Sequence, residues 1–316
     1  MWRRALTIDA MTATATPRTT THIPIAASLM ALGAGVVWSF GAVTARMANH
    51  ADPFQYLIWR SVGVLVVMEL VAVVRRQPML LPKAYTSGKW MLWADFGLLL
   101  ASFMFVYAVK TTTAANASFL GSVTPLAAVV MARLVLGERL SRVTLAAIFV
   151  ASFGLVVTVF GDLHAGNMIG NAAALLASVG FAIYTISVRS DPSGDWSPVL
   201  SGYAAMMIVL CSVITLAHGK TLFPPAKDMG LALLHGAIFI VVGTMLFNLG
   251  SKRVPAVPMT IFAQTEMVFV PLWVFLVLGE APKAATVVGG AIIFMAVVGK
   301  AALDTAPGAV QPVQEC

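Results

Sequence analysis

Residues 111–132 and 196–217 contain no Asp, Glu, Lys or Arg at all. Each stretch is as long as the roughly 20 apolar residues a helix needs to cross a hydrocarbon core. Such runs have to be kept from water, and the rest of the chain repeats them. Ten candidate spans fall at about residues 25–45, 54–74, 90–109, 113–133, 143–161, 168–188, 198–217, 229–250, 256–278 and 284–302. In lipid every backbone N–H and C=O must be bonded within its segment, so each span is expected as helix. The alternation of a membrane barrel is missing. The expected fold is an all-α integral membrane protein of ten transmembrane helices.

Composition agrees. The 316 residues are 59% hydrophobic and 10% charged, whereas a soluble domain carries roughly 25% charged residues. This excludes a water-soluble enzyme and a disordered protein. The net charge is +7, but the basic residues are dispersed, so no nucleic-acid partner is expected. Residues 1–24 hold seven Thr and three Arg and read as a disordered cytoplasmic tail without a signal peptide. Met11 is an alternative start. Residues 304–316 read as a second cytoplasmic tail. Cys211 lies in an apolar run and Cys316 ends the chain, so no disulfide framework is expected.

Lys and Arg set the orientation. With the N-terminus inside, the cytoplasmic segments hold 14 of them, the outer loops hold 5, and Arg60 lies inside the second span. Both termini are therefore expected in the cytoplasm. The chain also repeats itself. Shifted by 142, Phe105 falls on Phe247, Lys110 on Lys252, Gly137 on Gly279 and Glu138 on Glu280; shifted by 143, Arg46 falls on Arg189. Each half then holds five spans, an odd number, so the second half enters from the opposite side. The repeats are read as 25–161 and 162–303. Inverted repeats of this kind are a device of secondary transporters.

The stretches YAVKTTTAANASFLGSVTPLAAVVMARLVLGERLS at 107–141 and SKRVPAVPMTIFAQTEMVFVPLWVFLVLGEAP at 251–282 resemble the drug/metabolite transporter superfamily in its ten-span EamA-type branch. The carrying features are Ala108–Ala117 at the start of span 4, Pro125 within it, and Leu136–Glu138 closing it. The chain departs from the family where Glu-Pro is common in span 9: Glu266 is followed by Met267, and the proline comes at 271. The resemblance implies a carrier of small organic solutes in the cell inner membrane. Known members export amino acids and drugs or import vitamins and nucleotide-like metabolites, and many are thought to be coupled to protons. It leaves substrate and direction open, and also whether the unit is a monomer or a homodimer.

Glu266 is the strongest single candidate for function. A carboxylate near the bilayer midplane costs at least about 2.5 kcal/mol on insertion scales and marks a functional site by default. It could carry a proton, pair a cationic group of the substrate, or only hydrogen-bond a neighbouring helix. Arg60 either snorkels to the headgroups or meets a substrate or gate carboxylate. Glu69 and Asp95 read as interfacial charges. Glu138 and Glu280 read as helix-end residues with a gate role as the alternative. Trp38, Ser39, Phe103, Tyr107, Thr124, Tyr184, Asn248 and Gln264 complete the substrate-binding candidates: aromatic walls with a few polar fixing points suit a small-molecule site. Gln264 lies about 200° round the helix from Glu266. Pro125, Pro255, Pro258 and Pro271 are expected to break or bend their spans. Small residues four apart, such as Ala147/Ala151 and Ala285/Gly289, read as close helix contacts.

Enzyme signatures such as HExxH, GxSxG, a P-loop or a CxxC pair are missing, and the five histidines, among them His235, sit in tails, loops or near span ends without ligand spacing. The chain is expected not to be an enzyme and to need no cofactor or metal. The first expectation is an exporter of amino acids or similar amphipathic solutes working by alternating access. Uptake of a vitamin such as riboflavin stands second, and a non-transporting membrane subunit or sensor stands third.

Overall fold

The computed structural model describes residues 25–121, 123–136, 142–160, 165–191, 193–252, 259, 262–263 and 265–305. Among them the regular structure is helical throughout. The first four helices are α1 (Ile25–Met47), α2 (Pro53–Val74), α3 (Leu80–Thr86) and α4 (Lys89–Thr111). There follow α5 (Ala114–Gly121), α6 (Thr124–Leu136), α7 (Arg142–Phe160), α8 (Ala165–Ser190) and α9 (Pro198–Ala217). The rest are α10 (Ala226–Leu234), a π-helical turn His235–Ile240, α11 (Val241–Ser251), α12 (Thr265–Leu278) and α13 (Ala284–Thr305). Seven helical stretches among the described residues are long and apolar enough to cross a membrane. Three shorter apolar ones, Leu145–Gly154, Val268–Leu278 and Ala284–Ala296, stand where spans 5, 9 and 10 were expected. The chain is an all-α, multi-pass membrane protein.

Two spans are not the plain helices that hydropathy suggests. Span 4 breaks between α5 and α6. Pro125 has no N–H, so the carbonyl of Gly121 loses its helical donor. Thr124 Oγ1 at 2.7 Å and Ser178 Oγ at 3.2 Å donate to it instead. Span 8 widens into the π-helical turn where it crosses α2. A Cβ on Gly63 of α2 would lie 2.5 Å from the carbonyl of Leu233 and 3.1 Å from the amide of Ala237, so the two backbones touch across glycine.

The packing is paired in the same way as the sequence. α4 lies along α8, and its counterpart across the repeat, α11, lies along α1. α5 and α6 pack on α8, as α12 packs on α1. α2 packs on α9, and α7 on α13, each pair being its own counterpart. Exchanging the halves reproduces the pattern of neighbours. Small residues permit close approaches within these pairs: a Cβ on Gly97 would lie 2.6 Å from the amide of Tyr184 and 2.8 Å from the carbonyl of Gly180, and one on Gly154 would lie 2.7 Å from the carbonyl of Gly289.

The helix ends are secured by polar groups. Asp52 and Gln55 form a capping box at α2, with Pro53 in the first turn, where its missing N–H costs nothing. Asp228 accepts from the amides of His50 at 2.8 Å and Ala51 at 2.7 Å, tying the turn before α2 to α10. Two charges read as interfacial make specific contacts. Glu69 accepts from the amides of Leu80 at 3.0 Å and Leu81 at 2.8 Å and so caps α3. Asp95 is fully buried beside Gly202, whose missing Cβ leaves room for its carboxylate. At one end of the bundle Arg46 donates to the carbonyl of Thr112 and pairs with Glu280 at 3.2 Å, while Glu280 also accepts from the amide of Ala114. Glu138, Pro255, Pro258 and Gln264 lie outside the described residues.

Candidate functional site

Among the described residues a cavity of about 140 Å³ lies between the helices. A single water needs only about 10–15 Å³ by that measure, so a small organic molecule fits. Every span except the fifth and tenth contributes to the wall: Trp38 and Gly41 from α1, Arg60 from α2, and Leu98, Ala101, Ser102 and Phe105 from α4. Ser118 and Gly121 come from α5, Thr124 from α6, Ala177, Ser178 and Phe181 from α8, and Tyr203 from α9. His235 and Ile240 come from the π-helical turn, and Thr244, Ala263 and Glu266 complete the lining. α7 and α13, which pack on each other, stay outside.

The wall obeys the repeat. Under the 142 shift Leu98 pairs with Ile240, Ser102 with Thr244, Gly121 with Ala263 and Thr124 with Glu266; under the 143 shift Trp38 pairs with Phe181 and Arg60 with Tyr203. Both members of all these pairs line the cavity, which therefore straddles the axis relating the halves. Trp38 and Phe181 meet edge-to-face with ring centroids 5.5 Å apart. The symmetry is broken in charge. The first repeat places a cation, Arg60, where the second has Tyr203. The second places a carboxylate, Glu266, where the first has Thr124.

Arg60 is 2% exposed and does not snorkel. It donates to Ser102 Oγ, its Nε has no hydrogen-bond partner, and no carboxylate among the described residues lies within ion-pair distance of it. A buried charge left uncompensated costs several kcal/mol. His235, read from sequence as a residue near a span end, is 3% exposed at the head of the π-helical turn. Its Nδ1 is 2.7 Å from Tyr56 Oη, which bonds Thr44 Oγ1 at 2.9 Å, and its Nε2 has no partner. Ser118 Oγ and Tyr203 Oη are likewise buried without partners. Four unpartnered polar atoms thus belong to residues of one wall.

The remaining sequence candidates lie around the cavity rather than on it. Ser39 donates to the carbonyl of Val36 and accepts from Trp273 Nε1 at 3.0 Å. Tyr184 is fully buried, bonded to Asn248, and packed on Phe181 and Phe247. Asn248 also reaches the carbonyl of Trp196 at 3.4 Å. These groups support the aromatic wall from behind. Phe103 and Tyr107 pack instead on Phe54. Sequence reasoning missed Tyr203 and His235. The 143 shift applied to Arg60 finds the first, and no pattern in the sequence finds the second.

The model of the EamA-like transporter family matches residues 25–160 and again residues 168–300. The pseudopaline exporter CntI of Pseudomonas aeruginosa is 21% identical over 241 residues, which cover 76% of this chain and 78% of that protein. An uncharacterized transporter of Bacillus subtilis, YojE, is 27% identical over 155 residues, 48% of this chain and 50% of that one. A solved crystal structure superimposes with a TM-score of 0.64 at 20% identity, covering 88% of this chain and 97% of its own.

Proposed function

The chain belongs to the EamA-like transporter family, and from that premise we propose that it exports amino acids or similar small amphipathic solutes by alternating access. The observation that carries this reading is a cavity lined by paired residues of both halves, with Arg60 from the first repeat and Glu266 from the second. Ten helices in two inverted five-helix repeats, 25–161 and 162–303, rock about this cavity so that it opens to each face in turn. Both termini lie in the cytoplasm, and the membrane is the inner membrane.

Aromatic walls formed by Trp38, Phe105, Phe181 and Tyr203 suit the apolar part of such a solute. A guanidinium on one repeat and an ionisable carboxyl on the other suit a zwitterion. Glu266 holds the cationic group of the solute on the way out and a proton on the way back, which couples export to the proton gradient. Export is also what the name of the Pseudomonas aeruginosa relative states for that protein.

The test is a ligand screen by thermal shift on the purified protein, followed by counterflow of the hits in liposomes. Amino-acid-type solutes should raise the melting temperature and drive counterflow. A response confined to flavins would turn the reading to vitamin uptake. Ligand binding without flux of any solute would leave a sensor or a non-transporting subunit.

A further inference from the structure

The unpartnered atoms on the cavity wall are not scattered in kind. Arg60 Nε–H and Tyr203 O–H are donors, and both residues line the same cavity as His235. Gly236, the residue after His235, abuts the backbone carbonyl of Arg60. Arg60 and His235 thus meet where α2 crosses the π-helical turn, on the wall that Tyr203 also lines, and the three are taken together as one corner.

The chemistry of His235 Nε2 follows from the bonds behind it. Thr44 Oγ1 lies 3.0 Å from the carbonyl of Gly41 and 3.2 Å from that of Phe40. Carbonyls only accept, so the single hydroxyl proton of Thr44 points to them. Tyr56 then gives its own proton to Thr44, and its oxygen must accept from His235 Nδ1–H. A neutral imidazole with its proton on Nδ1 presents a bare lone pair at Nε2. That lone pair stands over Gly41, where a Cβ would lie 2.7 Å from Nε2, and both residues line the cavity.

Resting on the transporter reading, we propose that this corner binds the headgroup of an α-amino or α-hydroxy acid. Arg60 and Tyr203 hold the carboxylate, and His235 Nε2 accepts a hydrogen bond from the N–H or O–H on the neighbouring carbon. The carboxylate supplies the counter-charge that Arg60 lacks among the described residues. An α-ammonium keeps further N–H groups free for Glu266.

The probes are two matched series, built on phenylalanine and on leucine, tested by thermal shift on the full-length protein in nanodiscs. Each series contains the amino acid, its α-hydroxy acid, the acid without an α-substituent, the amide, and the decarboxylated amine. The amino and hydroxy acids of at least one series should bind at least tenfold more tightly than the other three members. Arg60→Gln should abolish the advantage of acid over amide, and Arg60→Lys should lose part of it. Gly41→Ala should keep the need for a carboxylate but cut the preference for an α-donor severalfold. Melting of each unliganded variant shows whether it folds. Amides or amines that bind as well as the acids, or an Arg60→Gln protein that folds and still discriminates, would overturn the corner. No binding by any acid, with solutes lacking a carboxylate still carried in the liposome assay, would overturn the corner and leave the transporter reading standing. Absence of both binding and flux would remove both.

Discussion

Thr124 and Glu266 occupy equivalent places in the two repeats and face the same cavity, yet only one of them can titrate. If Glu266 takes a proton and a solute cation in turn, Glu266→Gln should weaken solute binding by about 2 kcal/mol or more, the scale for losing one partner of a buried charge pair. What flux remains should no longer follow a pH gradient. Equilibrium binding and gradient-driven flux measured on one preparation give the answer, and wild-type behaviour in both would make Glu266 a structural hydrogen-bonder. Trp38 presents a narrower test. Its ring meets Phe181 and Phe247, so Trp38→Ala should change solute affinity by about 1 kcal/mol, the scale of an aromatic contact, with the protein level in the membrane unchanged. At this scale the sequence was legible where depth and charge conflict: Glu266, Arg60 and Thr124 stand out because lipid makes polar groups expensive. Tyr203 and His235 did not stand out, because a tyrosine in an apolar helix is unremarkable and the position of His235 depends on a π-helical turn that hydropathy does not register. Ser39, Tyr184 and Asn248 are polar at the right depth but spend their hydrogen bonds on neighbouring helices, a distinction that only packing makes.

Among the elements, the α4–α8 contact can be tested directly. Gly97 and Gly180 bring the two backbones together, and Gly97→Val has nowhere to put its side chain. Overpacking of this kind costs typically about 1–3 kcal/mol, so the variant should melt at a lower temperature than wild type; an unchanged melting temperature would mean that the helices are not in contact there. The surface pair between α3 and the turn before α9 behaves differently. Lys83 Nζ donates to Asp195 Oδ2 at 2.7 Å and the amide of Ser197 to Oδ1 at 3.1 Å. Burial pushes the Asp195 carboxyl up, but the bonds from Lys83 and Ser197 outweigh it, and the group titrates below the usual carboxylate range. A lowered folded-state pKa means that the stabilisation is present above the unfolded value of about 3.9 and is lost as pH falls through the folded one. Both side chains are about half exposed, so Asp195→Asn should cost under about 1 kcal/mol near neutral pH and nothing in strong acid, as melting curves at the two pH values would show. The helices themselves were readable because an uncharged stretch of span length allows little else. The break at Gly121–Thr124 was readable from Pro125, whereas the π-helical turn at His235 arises from its crossing with α2, a tertiary cause.

For the whole molecule, the bias of 14 basic residues to 5 predicts that reporters fused after residue 316 and within 161–167 report inside and outside respectively. A C-terminus found outside would break both the span count and the inversion of the repeats. The repeat was legible because several residues recur at a fixed shift, and the same shifts relate the paired residues of the cavity wall. What the shifts do not encode is the difference between the halves, a cation in one and a carboxylate in the other, on which substrate choice depends. The central claim is that one cavity serves both faces of the membrane. A single cysteine placed at Thr124, in a chain with Cys211 and Cys316 replaced by Ala, can be challenged with a membrane-impermeant maleimide in right-side-out and in inside-out vesicles. Labelling is expected from both faces, slowed in each case by a bound solute. Labelling from one face only, or labelling that no solute affects, would contradict it.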